Sequence, residues 1–234
     1  MPMARANRQE LLDSAAERVP ARELADNLRD IRRANRAFGG TRAVLAELRP
    51  LLHAWPAATP LTVLDVATGS ADIPRAIADA AQRASVCVRI VATDLQPGVL
   101  AVARTAERPG ILSVEQADAR ALPYADDAFD VVTLSLALHH FSPDEGCQAL
   151  AEMRRVGRRL LLVNDLERSR AGYLGAWLVG RLLTRNRLTR HDAPLSVQRA
   201  YTRAEALALA RAAGWTQTRV RRAAPFRYVL TGAP

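Results

Sequence analysis

Apolar residues follow two alternating patterns along this chain. Short apolar runs at residues 61–66, 85–93, 111–115, 129–134 and 158–163 predict buried strands, and most contain several β-branched residues. Between these runs, apolar positions three or four residues apart predict amphipathic helices, as at Ile73, Ile77 and Ala81. Strands that alternate with helices are typical of an α/β protein with a mainly parallel sheet.

The two ends of the chain depart from this alternation. Two amphipathic helices, at residues 21–38 and 41–52, precede the first strand, so we expect residues 1–55 to form a helical lid on a domain of residues 56–234. A capping box at Thr202 and Glu205 predicts the start of the last helix. Two final strands, at 218–222 and 226–230, predict a hairpin. Residues 184–196 are polar and predict a loop.

The first strand runs into a turn of small residues and then a helix. This turn, at residues 67–71, allows a ligand to approach the backbone, and the following helix offers free N–H groups. We expect the backbone at Ala67 and Ala71 to keep a negative φ, so that only Gly69 needs conformational freedom. The candidate binding residues here are Asp65, Ala67, Thr68, Gly69, Ser70 and Asp72.

Further polar residues follow the later strands. Asp94 and Leu95 end the second strand, where an acidic residue can accept hydrogen bonds from ribose hydroxyls. Ser135 ends the fourth strand. Ligands of an open α/β sheet bind beyond the carboxyl ends of its strands. The candidate ligand-binding residues at these strand ends are Asp94, Leu95 and Ser135.

These motifs resemble those of class I S-adenosylmethionine-dependent methyltransferases. The segment from Asp65 to Ala71 is similar to their first motif, Asp-x-Gly-x-Gly-x-Gly, with alanine at its first and third glycines. Residues 118–132 resemble their third and fourth motifs. The resemblance implies S-adenosylmethionine as cofactor, with Asp94 on the ribose, Asp118 on the adenine amine and the Ala119 backbone at the ring edge. It also implies that Arg120, the next residue, is a cofactor-binding residue. It also implies a Rossmann-like fold with a seven-stranded sheet of order 3-2-1-4-5-7-6, whose seventh strand is antiparallel.

Two histidines follow the fourth strand, where the reacting methyl group is expected. A histidine suits removal of a hydroxyl proton because its ordinary pKa is near 6.5. We expect His140, rather than His139, to be the base and Asp165, after the fifth strand, to hold it. A purely structural role for the pair is the alternative. His191, in the polar loop, is a competing base, and no complete set of metal ligands is visible, so no metal is expected.

The composition narrows the choice of partner. The 234-residue chain has a net charge of +9, and arginine supplies all of its Lys and Arg side chains. A coding bias towards arginine is one explanation of this composition. The alternative is a basic surface that binds nucleic acid or an anionic membrane. An aromatic content of 5% argues against RNA, which is bound largely by stacking. No apolar run is long enough to span a membrane, and the first fifteen residues are polar, so we expect a cytoplasmic protein.

The sequence therefore predicts methyl transfer to a small-molecule acceptor, most simply O-methylation of a phenolic or polyketide/quinone-like compound. C-methylation of a quinone precursor is an alternative, since the Asn35-x4-Gly40-x-Arg42 pattern is similar to quinone-biosynthesis C-methyltransferases. An RNA-directed enzyme would use the arginine-rich surface. A non-catalytic cofactor-binding protein would explain the alanines at 67 and 71. The sequence does not decide whether the protein forms a homodimer.

Overall fold

A computed structural model describes residues 3–14, 19–56 and 58–234 of the chain. The helices are α1 (Leu11–Ser14), α2 (Ala21–Ala37), α3 (Gly40–Ala54), α4 (Asp72–Arg83), α5 (Pro97–Ala103), α6 (Pro143–Val156), α7 (Arg170–Leu182), α8 (Arg187–Arg199) and α9 (Arg203–Ala212). The strands are β1 (Leu61–Val66), β2 (Val88–Asp94), β3 (Leu112–Gln116), β4 (Phe129–Ser135), β5 (Gly157–Leu166), β6 (Thr216–Ala224) and β7 (Arg227–Ala233).

The seven strands form one sheet in the order β3-β2-β1-β4-β5-β7-β6. Strands β1 to β5 are parallel, whereas β7 pairs antiparallel with both β5 and β6. This confirms the expected fold class and strand order. The parallel register brings the carboxyl ends of β2, β1, β4 and β5 to one edge, so the polar residues that follow these strands meet there.

Helices cover both faces of the sheet. On one face, α3, α4 and α5 bury apolar side chains such as Leu48, Ile77 and Leu100 against the strands. On the other face, α6 and the segment after α9 contribute Leu150 and Trp215. Because a buried parallel sheet needs cover on both sides, the early helix α3 is part of this packing.

The helix α2 lies at the carboxyl edge of the sheet. Its Leu24 and Leu28 pack with Val99 of α5 rather than in the main clusters. The short helix α1 contacts α8. In the described part of the chain, no helix combines the length and the apolar character needed to cross a bilayer.

The segment after α7 differs from the expected polar loop. Residues 187–199 form helix α8, which begins where the Asn186 side chain accepts a hydrogen bond from the Thr189 backbone N–H at 3.1 Å. Leu188 and Leu195 are buried beneath it. The many polar residues and the internal Pro194 hide this helix from a pattern-based prediction.

Candidate functional site

The turn between β1 and α4 places three residues in left-handed conformations. Ala67, Gly69 and Ala71 have φ values of 52°, 57° and 53°. The expectation of negative φ at both alanines is therefore wrong. The turn takes the backbone path that a three-glycine motif would take, and the alanines adopt it at a steric cost.

Asp65 is the buried support of this turn. Its carboxylate accepts hydrogen bonds from the hydroxyls of Thr68, at 2.7 Å, and Thr133. Burial raises the pKa of Asp65 to about 7, although these two hydrogen bonds oppose the shift. Asp72, at the start of α4, accepts from the Asn35 side-chain amide at 2.8 Å, so α2 is tied to the same turn.

The turn forms the floor of a cleft of about 230 Å³. Asp94 lies in it and accepts hydrogen bonds from the backbone N–H groups of Gly69, at 3.1 Å, and Gln96, at 3.2 Å. Burial raises the pKa of Asp94, and it outweighs these hydrogen bonds, which lower the pKa. The cleft is lined by all twelve predicted cofactor residues: Asp65, Ala67, Thr68, Gly69, Ser70, Asp72, Asp94, Leu95, Asp118, Ala119, Arg120 and Ser135.

The cleft also contains polar atoms that need a partner. The Ser135 hydroxyl and the Gln96 side-chain oxygen are buried without one among the described residues. Buried polar atoms of this kind are normally paired, so both fit a polar ligand lying between them. A β-carbon at Gly69 would meet only Leu28, at 4.0 Å, which leaves the backbone there open to a ligand. These residues fit the polar ribose and amino-acid parts of the expected cofactor.

Asp118 is already engaged within the chain. Arg120 donates to both of its carboxylate oxygens, at 2.8 Å and 3.0 Å for the shortest contacts, and also to Glu145. Arg120 holds the pKa of Asp118 below its usual range. An adenine amine would therefore meet an ionised, partly neutralised carboxylate.

A second cavity, of about 320 Å³, adjoins the cleft. Leu12, Ile31, Leu136 and His140 line both, so the two spaces meet at these side chains. Most of the second cavity's lining is apolar and comes from α2, α7, α8 and the β6–β7 turn. We call this second cavity the acceptor pocket.

Each of the two adjacent histidines is held by a different carboxylate. Asp165 contacts Nδ1 of the buried His139 at 2.7 Å and also accepts from the His139 backbone N–H. Asp13 of α1 contacts Nδ1 of His140 at 2.9 Å. The expectation that Asp165 holds His140 is therefore wrong, because the turn of 3₁₀ helix at 138–140 directs the first histidine towards β5.

Glu10 lies opposite both imidazoles. Its carboxylate oxygens are 3.6 Å from Nε2 of His139 and 4.0 Å from Nε2 of His140. Burial tends to lower the pKa of His140, but Glu10 and Asp13 overcome it and raise the pKa to about 9. His140 is thus cationic near neutral pH and stands where the acceptor pocket meets the cofactor cleft.

The structure separates His191 from this centre. It lies on α8, its side chain is 45% exposed, and its Nδ1 contacts the neighbouring Asp192 at 2.7 Å. Asp192 is buried and accepts hydrogen bonds from the backbone N–H groups of Leu11 and Leu12. Its carboxylate fixes the N-terminal segment beside the pocket, whereas His191 does not line the pocket.

Several residues of the site carry no clear signal in the sequence. Glu10 and Asp13 lie in a polar stretch with no motif, and only the fold brings them to the histidines. Arg227 is 4% exposed, lines the acceptor pocket and donates to the Asn35 side-chain oxygen at 3.1 Å. Burial lowers the pKa of Arg227 to about 10. An arginine inside an apolar terminal strand is the one sign that the sequence offers.

One group among the described residues has metal-ligand chemistry. Atoms of Glu10, His139 and His140 lie within 4.8 Å of one another. The Arg199 guanidinium is 3.9 Å from the same Glu10 carboxylate, and a neighbouring cation disfavours a metal ion there. The absence of a metal stays a prediction.

Comparison with known proteins gives one family match. Residues 63–159 match the family model described as a methyltransferase domain. A demethylmenaquinone methyltransferase of Deinococcus radiodurans is 38% identical over 130 residues, which cover 53% of this chain and 48% of that protein. The chain thus spans about half the length of the curated relatives it matches.

Solved structures share the fold. A SAM-dependent methyltransferase from Aquifex aeolicus superimposes with a TM-score of 0.61 at 16% identity, covering 89% of this chain and 97% of that one. The structure described as PigF with SAH superimposes with a TM-score of 0.61 at 16% identity, covering 97% of this chain and 66% of that one.

Proposed function

Because this chain carries a class I S-adenosylmethionine-dependent methyltransferase domain, we propose that it methylates an apolar hydroxyaromatic or enolic small molecule bound in the acceptor pocket. The observation that carries the proposal is the junction of two cavities at His140, with two carboxylate-bound histidines beside it. A concave, mostly apolar pocket beside the cofactor cleft suits a small molecule better than a base of RNA.

The cofactor, when bound, supplies an electrophilic methyl carbon on its sulfonium. The protein then has to align the acceptor and manage one proton. Asp165 accepts the Nδ1 proton of His139, which leaves Nε2 as a lone pair on the pocket wall to receive the hydroxyl proton. Cationic His140 stabilises the oxygen as negative charge develops on it. Gly69 and Asp94 of the cleft would hold the cofactor, which would give its methyl carbon to the acceptor and keep the electron pair of the broken carbon–sulfur bond on sulfur.

Oxygen is the first candidate for the methylated atom, since both histidines act on a hydroxyl. Methylation at carbon is the second candidate, and the likeness to demethylmenaquinone methyltransferases supports it. A phenolate is nucleophilic at oxygen and at the adjacent ring carbon, so the same two histidines would serve either product. Arg227 provides a further donor in the wall for a second oxygen of a quinol-like acceptor.

The N-terminal helices complete the pocket. We infer that α1 and α2 act as the lid over both cavities, since Leu12 and Ile31 line both and Asp13 lines the cofactor cleft. A lid of this kind keeps water away from the reacting atoms.

The test uses the full chain, methyl-labelled cofactor and a panel of phenols, naphthols and quinols. Mass spectrometry identifies the labelled product, and the carbon shift of the label distinguishes methoxy from ring methyl. His139→Gln should lower kcat by about 10²–10⁴-fold with cofactor affinity retained. His53→Gln, on the exposed side of α3, is the matched control. Equal rates in both variants would remove His139 from the reaction, and no labelled product from any acceptor would remove the proposed substrate class.

A further inference from the structure

Helix α7 presents two different faces. Its inner face lines the acceptor pocket through Gly175, Ala176 and Val179. Its outer face and the residue after it expose large apolar side chains, with Leu182 and Leu183 about three-quarters exposed. The exposed apolar set of this segment is Leu174, Trp177, Leu178, Leu182 and Leu183, which is five of the eight large apolar side chains exposed by the described residues.

Positive charge surrounds this apolar face. Residues 168–191 contain no aspartate or glutamate and six arginines, of which five are exposed, while Arg168 is buried and pairs with Glu205. Arg181 lies over the Trp177 ring at 5.1 Å, so its guanidinium stays at the border of the apolar face. The charge is therefore placed at the level where an apolar surface would meet water.

A basic groove between α2 and the α7–α8 connection extends this surface. Three carboxylates lie in it, and each pairs with one arginine: Glu23 with Arg187, Asp26 with Arg29, and Asp30 with Arg33. Arg22, Arg181, Arg185 and Arg190 line the same groove without a carboxylate partner among the described residues. The groove thus has an excess of positive charge beside exposed leucines.

We propose that α7 docks this protein on an anionic lipid membrane. Exposed leucine and tryptophan bordered by arginine are the features of an interfacial helix, whose apolar side enters the headgroup region while its cations meet acidic lipids. Nucleic acid would use the arginines but would leave the leucines in water. A second copy of the chain would bring the same excess of arginine against itself. An anionic bilayer matches both the apolar and the charged part.

Docking in this way has a consequence for the acceptor. Since the opposite face of α7 is a wall of the acceptor pocket, the pocket would lie next to the lipid surface. An apolar acceptor could then enter from the bilayer without crossing water. Vesicle binding itself needs no methyl transfer, so its outcome is separate from that of the proposed function.

The test is flotation of the full chain with vesicles of phosphatidylcholine alone or mixed equally with phosphatidylglycerol, at low and high salt. We expect binding to the anionic vesicles only, weakened by salt. Leu182→Ser with Leu183→Ser should lower partitioning at least about tenfold, whereas Ile111→Ser, an exposed apolar residue at the far side of the sheet, should leave it unchanged.

Charge is tested separately. Arg181→Gln with Arg185→Gln should weaken binding about fivefold for each arginine. Arg83→Gln with Arg104→Gln, at the exposed end of α4 and in the 3₁₀ turn after α5, should not weaken it. The blue shift of tryptophan emission on vesicles should disappear in Trp177→Phe.

Several outcomes overturn the proposal. Equal binding to neutral vesicles removes the charge argument, and unchanged partitioning of the leucine variant removes the helix from the contact. A dimer in light scattering that the leucine substitutions dissociate assigns the face to a second copy. RNA binding that survives those substitutions and displaces the protein from vesicles assigns the groove to nucleic acid.

Discussion

The left-handed alanines of the β1–α4 turn offer a direct test of stored backbone strain. An alanine in this conformation costs about 1–2 kcal/mol relative to the right-handed one, and glycine avoids that cost. Glycine also makes the unfolded chain more flexible, which removes about 0.4–1 kcal/mol of stability. The methyl group of Ala67 is only half-buried, so Ala67→Gly should increase the free energy of unfolding by about 0.5–1 kcal/mol.

The same change at Ala71 should behave differently. Ala71 is fully buried, so its methyl group contributes about 0.8 kcal/mol of burial that glycine loses. Relief of strain and loss of burial then nearly cancel, and Ala71→Gly should be close to neutral. Ala78, buried in the middle of α4, is the control, because glycine there loses burial and weakens the helix with no strain to relieve. Ala78→Gly should cost about 1.5 kcal/mol.

Denaturant unfolding followed by circular dichroism measures the free energy of unfolding of the three variants relative to the wild type, provided that their m-values agree. In a chain of this size, 1 kcal/mol of stability corresponds to about 2–4 °C in Tm. Thermal unfolding should therefore show a Tm for Ala67→Gly that is higher than that of the wild type by up to about 4 °C. If Ala67→Gly lowers stability as much as Ala78→Gly does, the turn holds no usable strain and the reasoning from φ is refuted. Cofactor affinity should change little, since glycine keeps the same backbone path.

Four further outcomes are expected. Asp94→Ala should weaken S-adenosylmethionine binding by about 1.5–3 kcal/mol in calorimetry, and unchanged affinity in a folded variant would exclude Asp94 from the site. Since the pKa of His140 rises from its ordinary 6.5 to about 9 on folding, its contribution to stability is complete below pH 6.5 and is lost as the pH rises through 9. The free energy of unfolding of the wild type should therefore fall by up to about 3 kcal/mol relative to that of His140→Gln over this range, and a difference that stays constant with pH would contradict this. Arg227→Gln should raise KM for an acceptor with two oxygens several-fold more than for one with a single oxygen, and an equal rise for both would assign Arg227 to the fold alone. A chelator should leave the methyl-transfer rate unchanged, whereas loss of activity restored by a divalent metal would assign Glu10 and the two histidines to a metal ion.

The sheet can be predicted because its strands are nearly continuous apolar runs. The apolar run at 129–134, for example, predicts the fourth strand, and β4 is Phe129–Ser135. The pattern places the start of the second strand at Ser85, but β2 begins at Val88, because Ser85 adopts a left-handed turn after α4. Helix α8 escapes prediction because its stability comes from tertiary burial of a few residues, which local periodicity does not reveal.

The part of the candidate site that lies at the strand ends is predictable, because all twelve predicted cofactor residues line the cleft, whereas the carboxylates that contact the histidines are not. The residues from Asp65 to Asp72 form one turn, so their meeting at the cleft follows from local chemistry. The partner of each histidine depends instead on how α1 and β5 approach the end of β4. Asp13 and His140 are separated by 127 residues, and no spacing rule links them.

The contacts of the N-terminal segment bear on how such a protein can change over evolution. The family match of residues 63–159 contains the cofactor turn and both histidines, but the carboxylates that face the histidines, Glu10, Asp13 and Asp165, all lie outside it. Arg5 fixes this segment by donating to the His139 and Phe141 carbonyls. The matched stretch thus holds both histidines, while the three carboxylates that contact them lie outside it. A substitution outside the matched stretch can therefore change the charge around the histidines and leave the β1–α4 turn as it is.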